Sequence, residues 1–233
     1  MARIKRCRGG TSGTLARLWV ALCAVSLLCA CALAGAWCWK EGRVWLLVVA
    51  ALCAAVCPLL GAALRRVQSG RAGEKQAQAA LKRMPAEYTV LCNVPILASG
   101  RETELDAAVV GPGGVCVVEV KHYAGDISGT EQASSWRQAR PGRGGRHIDK
   151  TVPNPVAQNR RQVSLVKRVL RQSGVECPVW GIVYFSNPYA RVHASAPELV
   201  WGEGALRRAV CARGDLSRAQ MQNIIHALMH AHT

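Results

Sequence analysis

The sequence is poor in aromatics and acidic groups, and its cysteines lack any paired spacing. Aromatic residues make up 5% of the 233 positions, with a single Phe, so little stacking on single-stranded bases is expected. None of the eleven cysteines falls in a CxxC pair or has a His at zinc-ligand spacing, which argues against a disulfide framework or a structural zinc site. Six of them (Cys23, Cys29, Cys31, Cys38, Cys53, Cys57) lie in apolar blocks, where Cys acts as a small hydrophobe. Cys7, Cys92, Cys116, Cys177 and Cys211 are scattered, and all read as reduced thiols. Acidic residues number 14 against 30 Lys and Arg; from Arg65 onward the counts are 13 and 23. Such a cationic balance points to polyanionic partners, either nucleic acid or the anionic face of a membrane.

Apolar content is concentrated near the start. Leu18 to Trp39 is 22 residues without a charge, and Val44 to Leu64 is 21 more. About 20 apolar residues cross a bilayer core, so each stretch is long enough to span. Lys40-Glu41-Gly42-Arg43 between them allows only a tight hairpin, and Trp37, Trp39 and Trp45 would form an interfacial belt. Arg3, Lys5, Arg6, Arg8 and Arg17 precede the first span, and Arg65, Arg66 and Arg71 follow the second, so the positive-inside rule places both ends in the cytoplasm. A cleaved signal peptide fits less well, because 22 residues exceed a signal core and the second span follows at once. The expected organisation is a basic cytoplasmic arm 1–17, a membrane hairpin 18–64, a basic linker 65–71, a globular domain 72–185 and an extension 186–233 that completes the fold.

The remainder reads as α/β. Ala72 to Met84 predicts a helix with the stripe Ala77, Ala80, Leu81 and Met84, ended by Pro85. Tyr88–Ile96, Glu104–Val110 and Val115–His122 are strand signals, with Gly111-Pro112-Gly113-Gly114 as a hairpin loop. Gly125–Gln132 and the stretch around Trp136 suggest short strands or turns, and Pro141–Lys150 a basic, glycine-rich loop. Asn154-Pro155 predicts a helix start running to about Gln172, Val179–Phe185 a strand, and Leu216–Ala231 a final helix.

The chemistry-bearing residues fall on the central hairpin. Alternation puts Glu119 and Lys121 on one face of their strand, and Glu104 and Asp106 on one face of theirs. Pairing Val110 with Val115 places Asp106 opposite Glu119, and Glu104 opposite Lys121. Opposed Cβ atoms lie about 5 Å apart. Two carboxylates that close repel unless a cation sits between them, and oxygen-only ligands suit Mg²⁺ or Mn²⁺. Lys121 could orient a water or offset phosphate charge, and Glu74, on the core-facing stripe of the first helix, could add a third carboxylate. A solvated, salt-bridged hairpin face is the bland alternative. Against it, Val109, Val110, Val115, Val117, Val118 and Val120 make both strands apolar on both faces, and buried carboxylates are costly unless they work.

These residues carry a resemblance. Glu104-Leu105-Asp106, Gly113-Gly114-Val115 leading into Val118-Glu119-Val120-Lys121, and Asn154-Pro155-Val156-Ala157-Gln158 resemble the nuclease-related domain family. That family is similar to the PD-(D/E)XK nucleases. Gly73-Glu74, Gly125 and Trp136 match its pattern too, over roughly Ala72 to Phe185. The resemblance implies a restriction-endonuclease-like mixed sheet flanked by helices, Asp106 and Glu119 as metal ligands, and Lys121 as the catalytic lysine. It implies Glu74 and Gln158 as auxiliary site residues. His122, where the family more often has Asn, departs from the pattern and is expected to face away from Lys121.

Gln158 shares a helical ridge with Gln162, Leu165 and Val169, so it either reaches the active edge or is a polar first-turn residue. Arg160, Arg161, Lys167, Arg168 and Arg171 form a basic stripe suited to phosphate backbones or to anionic lipid. Arg137, Arg140, Arg143 and Arg146 supply a second basic patch. The expectation is a membrane-anchored Mg²⁺- or Mn²⁺-dependent nuclease acting on nucleic acid, with DNA the expected substrate; the sequence does not separate DNA from RNA. The alternatives are a non-catalytic tethered module that binds nucleic acid or protein, and a lipid-surface scaffold.

Overall fold

The computed structural model describes residues 1–6, 21–22, 24–32, 35–36, 70–98, 101–142 and 147–231. The chain divides into two compact units, Met1–Gly9 with Ala72–Thr233, and Gly10–Arg71. In the second unit, residues 21–22, 24–32 and 35–36 are helical. No helix among the described residues is long and apolar enough to cross a membrane. The expected span Val44–Leu64 and part of Leu18–Trp39 lie outside the described residues.

The first unit is mixed α/β with two sheets. The larger sheet has the order β1 (Arg3–Arg6), β2 (Thr89–Ala98), β3 (Arg101–Gly111), β4 (Gly114–Lys121), β8 (Val179–Phe185) and β10 (Leu199–Trp201). The smaller has the order β7 (His147–Pro153), β6 (Ser135–Pro141), β5 (Gly125–Ser128) and β9 (Ala190–His193). Helix α1 covers 70–82, followed by α2 (Pro155–Gln172), α3 (Glu203–Val210) and α4 (Arg218–Met229). The single mixed sheet expected from the sequence is thus two sheets, and part of the presumed loop Pro141–Lys150 is strand β7. Its residues Arg143 and Arg146 lie outside the described residues.

A second correction concerns the start of the chain. Arg3–Arg6, part of the expected basic arm 1–17, pairs in parallel with Thr89–Cys92 as the edge strand of the large sheet. Ala2 is buried, and its N–H donates to the Lys82 carbonyl at the end of α1. Four residues with three charges carry no sequence signal for a strand; only the open edge of β2 makes them one.

One face of the large sheet packs on α1 and α3, through Ala77, Ala80, Leu81 and Met84 on α1 and Leu206 and Val210 on α3. The other packs on α2 and α4, through Val166, Val169 and Leu170 on α2 and Ile224, Ile225 and Leu228 on α4. A third cluster, with Trp136, Ile127, Val152, Val156, Val183 and Phe185, joins the small sheet to the start of α2 and the end of β8. Full burial of an aliphatic side chain stabilises by about 1.5–3 kcal/mol, so β4, sandwiched between α1 and α2, is fixed strongly. Helix α2 starts where the sequence signal places it: the Asn154 carboxamide oxygen accepts from the Val156 and Ala157 N–H groups. Its amide nitrogen reaches back to the Thr130, Glu131 and Ala133 carbonyls, tying the helix start to the small sheet.

Candidate active site

The hairpin of β3 and β4 keeps the register read from the sequence, from Gly111↔Gly114 to Ala107↔Val118, with Val110 opposite Val115. There the backbone pairing ends. One step further Asp106 faces Glu119, and the two strands part: the Val120 N–H turns to the Asp106 carboxylate, Oδ2, at 2.7 Å instead of to a β3 carbonyl. On the other side of β3, Asn93 stands opposite Asp106 between the pairs Cys92↔Ala107 and Val94↔Leu105, itself unpaired, with φ 54. Asn tolerates this left-handed conformation better than a branched residue would. The break changes the phase of burial, so that Leu91 and Ala108 before it and Val94 and Leu105 after it all enter the α2/α4 core. Asp106 is therefore held at a kink in otherwise regular strands.

Glu119 is 2% exposed and is gripped from three directions. The Gln158 side-chain amide donates to Oε1 at 2.7 Å and that of Gln162 donates to Oε2 at 2.7 Å. The Lys121 ammonium lies 2.6 Å from Oε1 and donates to Gln158 Oε1 at 3.0 Å. Gln158 and Gln162 are one helical turn apart, so one face of α2 presents both amides to one carboxylate. They reach it because α2 lies close to the sheet. Asn159, fully buried, donates to the Val117 carbonyl at 3.1 Å. A Cβ on Gly181 would come within 2.0 Å of Asn159 Oδ1 and 2.7 Å of Val163, so only glycine at this point of β8 admits the helix.

The electrostatics are those of a cluster short of positive charge. Burial, reinforced by the Glu119 carboxylate, raises the Asp106 pKa to about 7, although the Val120 N–H and Lys121 pull the other way. Glu74 adds the smallest of the raising influences. At Lys121 burial disfavours the ammonium, but Glu119, Tyr123 and Asp106 outweigh it and the pKa is raised, so the lysine stays charged. One lysine thus serves two acids, and one of those acids loses its proton only near neutrality.

That donor set fits a hard divalent cation. Its oxygens come from Asp106 and Glu119 on adjacent strands, and a cation would relieve the repulsion that raises Asp106. Gln162 Oε1, buried beside Glu119, has no hydrogen-bond partner, and a water on a hydrated cation is a donor of the kind it lacks. A cavity of about 360 Å³ lined by Thr103, Glu104, Gln158, Arg161, Gln162 and Leu165 opens alongside. Among the described residues no three His, Cys, Asp or Glu side chains group as a metal cage. Glu74, expected as a third ligand, is felt at Asp106 through its charge and does not complete such a triad.

The other expected residues divide. Glu104 does not oppose Lys121, because β3 and β4 have parted before it; it is exposed and accepts from the Asn93 amide at 2.7 Å. Arg161 lines the cavity beside the site. Arg160, expected in the phosphate-binding stripe, is held by Glu198 at 2.6 Å and Glu131 at 2.8 Å and serves as a strut between α2 and two loops. Lys167 and Arg171 border a separate groove with Glu176 and Cys177 at the opposite end of β8. His122 hydrogen-bonds Ser186 at 2.8 Å, and Gly73 closes over both, since a Cβ there would lie 2.7 Å from His122 Cβ and 2.8 Å from Ser186 Oγ. The sequence did not single out Gln162 for the site, although its spacing of four from Gln158 on one ridge was the available signal.

Fold and site together define a nuclease-like α/β domain, with an acid pair and a lysine where two central strands diverge. The family description of the nuclease-related domain matches residues 69–186, and the chain belongs to that family. It is also 28% identical over 170 residues, covering 70% of this chain and 76% of the relative, to an uncharacterized protein of Bacillus anthracis. No solved structure matches.

Proposed function

We propose that this protein is a membrane-anchored, divalent-metal-dependent nuclease that hydrolyses phosphodiester bonds in DNA, built on a restriction-endonuclease-like sheet. The observation that carries the reading is Asp106 at the strand break, with a pKa of about 7 beside a fully gripped Glu119. A structural ion-pair network has no use for a second, half-buried acid that its lysine cannot neutralise. Asp106 and Glu119 would hold Mg²⁺ or Mn²⁺, which supplies Lewis-acid activation of water and of the phosphoryl oxygen. Gln158 and Gln162 fix both oxygens of Glu119 and so its direction. Lys121, tied to Glu119 and Gln158, carries the positive charge that offsets the phosphate and orients the attacking water.

The anchor reading draws support from chain connectivity. β1 and α1 belong to one compact unit, so the intervening stretch leaves that unit and returns to it. An even number of crossings satisfies this, and a two-span hairpin with both basic flanks in the cytoplasm is the simplest case.

The test uses the full-length chain in detergent, with plasmid, linear duplex, single-stranded DNA and RNA, in Mg²⁺, Mn²⁺ or EDTA. Metal-dependent cleavage is expected, and Lys121→Ala should abolish it; because this variant leaves the buried Glu119 carboxylate without its cation, circular dichroism at low temperature checks that it is folded when assayed. Cleavage that survives in EDTA or in Lys121→Ala defeats the assignment. A second reading, a non-catalytic nucleic-acid or protein-binding module, is favoured by the internal satisfaction of Glu119; it predicts binding with no cleavage under any metal.

A further inference from the structure

Three of the scarce aromatics, Tyr123, Phe185 and Trp201, lie in one row beside Lys121. β4, β8 and β10 run parallel, and their registers set Lys121 beside Phe185 and Phe185 beside Trp201. Paired residues of neighbouring strands project to the same face, so the row that carries Lys121 continues into two aromatic rings. The Phe185 ring is buried and lies 6.2 Å from that of Trp201 at 18°, a stacked pair. It also lies 6.4 Å from Tyr123, whose ring centre is 5.9 Å from the Lys121 ammonium.

Trp201 is the outer member of this row. β10 is the edge strand of the sheet, and Trp201 is 43% exposed. From Ala72 onward, the large exposed hydrophobics among the described residues are Leu97, Tyr189 and Trp201. Two of these three lie at or just beyond the strand ends nearest Lys121, and Tyr189 is tied there by its carbonyl, which accepts from the Gly125 N–H. Two strand spacings separate Trp201 from Lys121, about 10 Å, which is within reach of a base close to a phosphate held at the lysine.

We propose that Trp201 is the stacking platform for an unpaired base flanking the phosphate held at Lys121, so the substrate strand is single-stranded or frayed there. This rests on the nucleic-acid reading of the site and narrows its substrate class. A base inside a duplex has both faces covered by its neighbours, and only an unpaired one can offer a face to Trp201. Stacking on Phe185 fixes the ring in one orientation, which reduces the entropy lost when a base binds. Its alignment with the acid–lysine row is what a strand crossing the site requires, and contact with a lipid surface requires no such alignment.

The test measures binding of a 2-aminopurine-labelled single-stranded oligonucleotide to the full-length chain in EDTA, with relaxed closed circular duplex and anionic phosphatidylserine vesicles as separate ligands. Trp201→Ala should weaken oligonucleotide binding on the order of tenfold and relieve the quenching of 2-aminopurine. Trp201→Phe should restore most of both, and closed duplex should bind all three proteins alike. The proposal is overturned if the parent does not bind the oligonucleotide, or if Trp201→Ala binds and quenches as the parent does. Equal weakening toward oligonucleotide and closed duplex, unrescued by Phe, also overturns it, as does a loss confined to the vesicles. Cleavage of the same oligonucleotide in Mg²⁺ is read independently. No cleavage with Trp201-dependent binding sinks the nuclease reading alone, and cleavage with Trp201-indifferent binding sinks the platform alone.

Discussion

Asp106 and Asp126 are the same residue type, each on a strand, and the fold drives them in opposite directions. Asp106, at the kink of the large sheet, is raised to about 7 by burial and by Glu119. Asp126, on the open face of the small sheet, is lowered to about 2 by the hydrogen bonds of Arg191 and His193. Arg191 grips it with two bonds, at 3.0 and 2.9 Å, and His193 adds a third at 3.0 Å. The small sheet places its acids where water and arginines satisfy them, as it also does with the Arg137–Asp149 pair. The large sheet keeps an acid half-buried beside a second carboxylate, with no arginine on it. A carboxylate held in that condition stores affinity for a cation, whereas a satisfied one holds strands together weakly.

The largest effects should follow from changing Asp106. Its proton is held to about pH 7 in the folded chain and lost near 3.8 when unfolded. Without metal, the folded state therefore binds more protons in that window, and its stability falls as pH rises from about 4 to about 7. Asp106→Asn should flatten this fall and raise the thermal midpoint at pH 8 in EDTA while abolishing cleavage. A parent midpoint that climbs across the window breaks the comparison. Mg²⁺ or Mn²⁺ affinity should rise through pH 7, as the cation displaces the Asp106 proton, and isothermal titration in buffers of different ionisation heat would detect that proton.

A smaller effect is expected one layer out. Gln162→Leu removes the amide that holds Glu119 Oε2, and should weaken cation binding or cleavage by about 10–100-fold. Unchanged activity in this variant would mean that Lys121 and Gln158 suffice to orient the acid. Gly73→Val drives a side chain into His122 and Ser186 and should cost about 1–3 kcal/mol, read by urea melts. The smallest change should come from Asp126→Asn. Its partners Arg191 and His193 lie largely in solvent, so melts at pH 7 should barely move, and any contribution should vanish as pH falls toward about 2.

Much of the large sheet was legible because its signals are local and redundant. Val115 to Lys121 is apolar on both faces, Gly113-Gly114 ends the turn, and Asn154-Pro155 caps α2, so the hairpin register and the opposition of Asp106 to Glu119 could be read directly. Glu104 was misplaced because a strict alternation carried past Asp106 ignores the kink at Asn93, and a left-handed Asn in a strand leaves no pattern of its own. The small sheet was only partly legible: short strands or turns were readable near Gly125 and Trp136, but β5 and the edge strand β9 that pairs with it have only four residues each and lie far apart in sequence. Long-range pairing of that kind depends on surfaces that exist only once α2 and β8 are in place.

By itself the sequence determined the family, through its motifs, and the placing of Asp106, Glu119 and Lys121 on the central hairpin, since the helices and strands follow from side-chain periodicity and turn chemistry along a few residues. Only the tertiary structure decided which charges gather at the strand break and which brace other parts of the fold. Arg160 became a strut because Glu131 and Glu198 converge on it, and Gln162 entered the site because Gly181 lets α2 approach. Arg3–Arg6 became a strand because β2 offered an open edge. The pKa of Asp106 and the exposed ring of Trp201 are likewise properties of position: desolvation, field and neighbours are set by chain segments distant in sequence, and no local pattern encodes them.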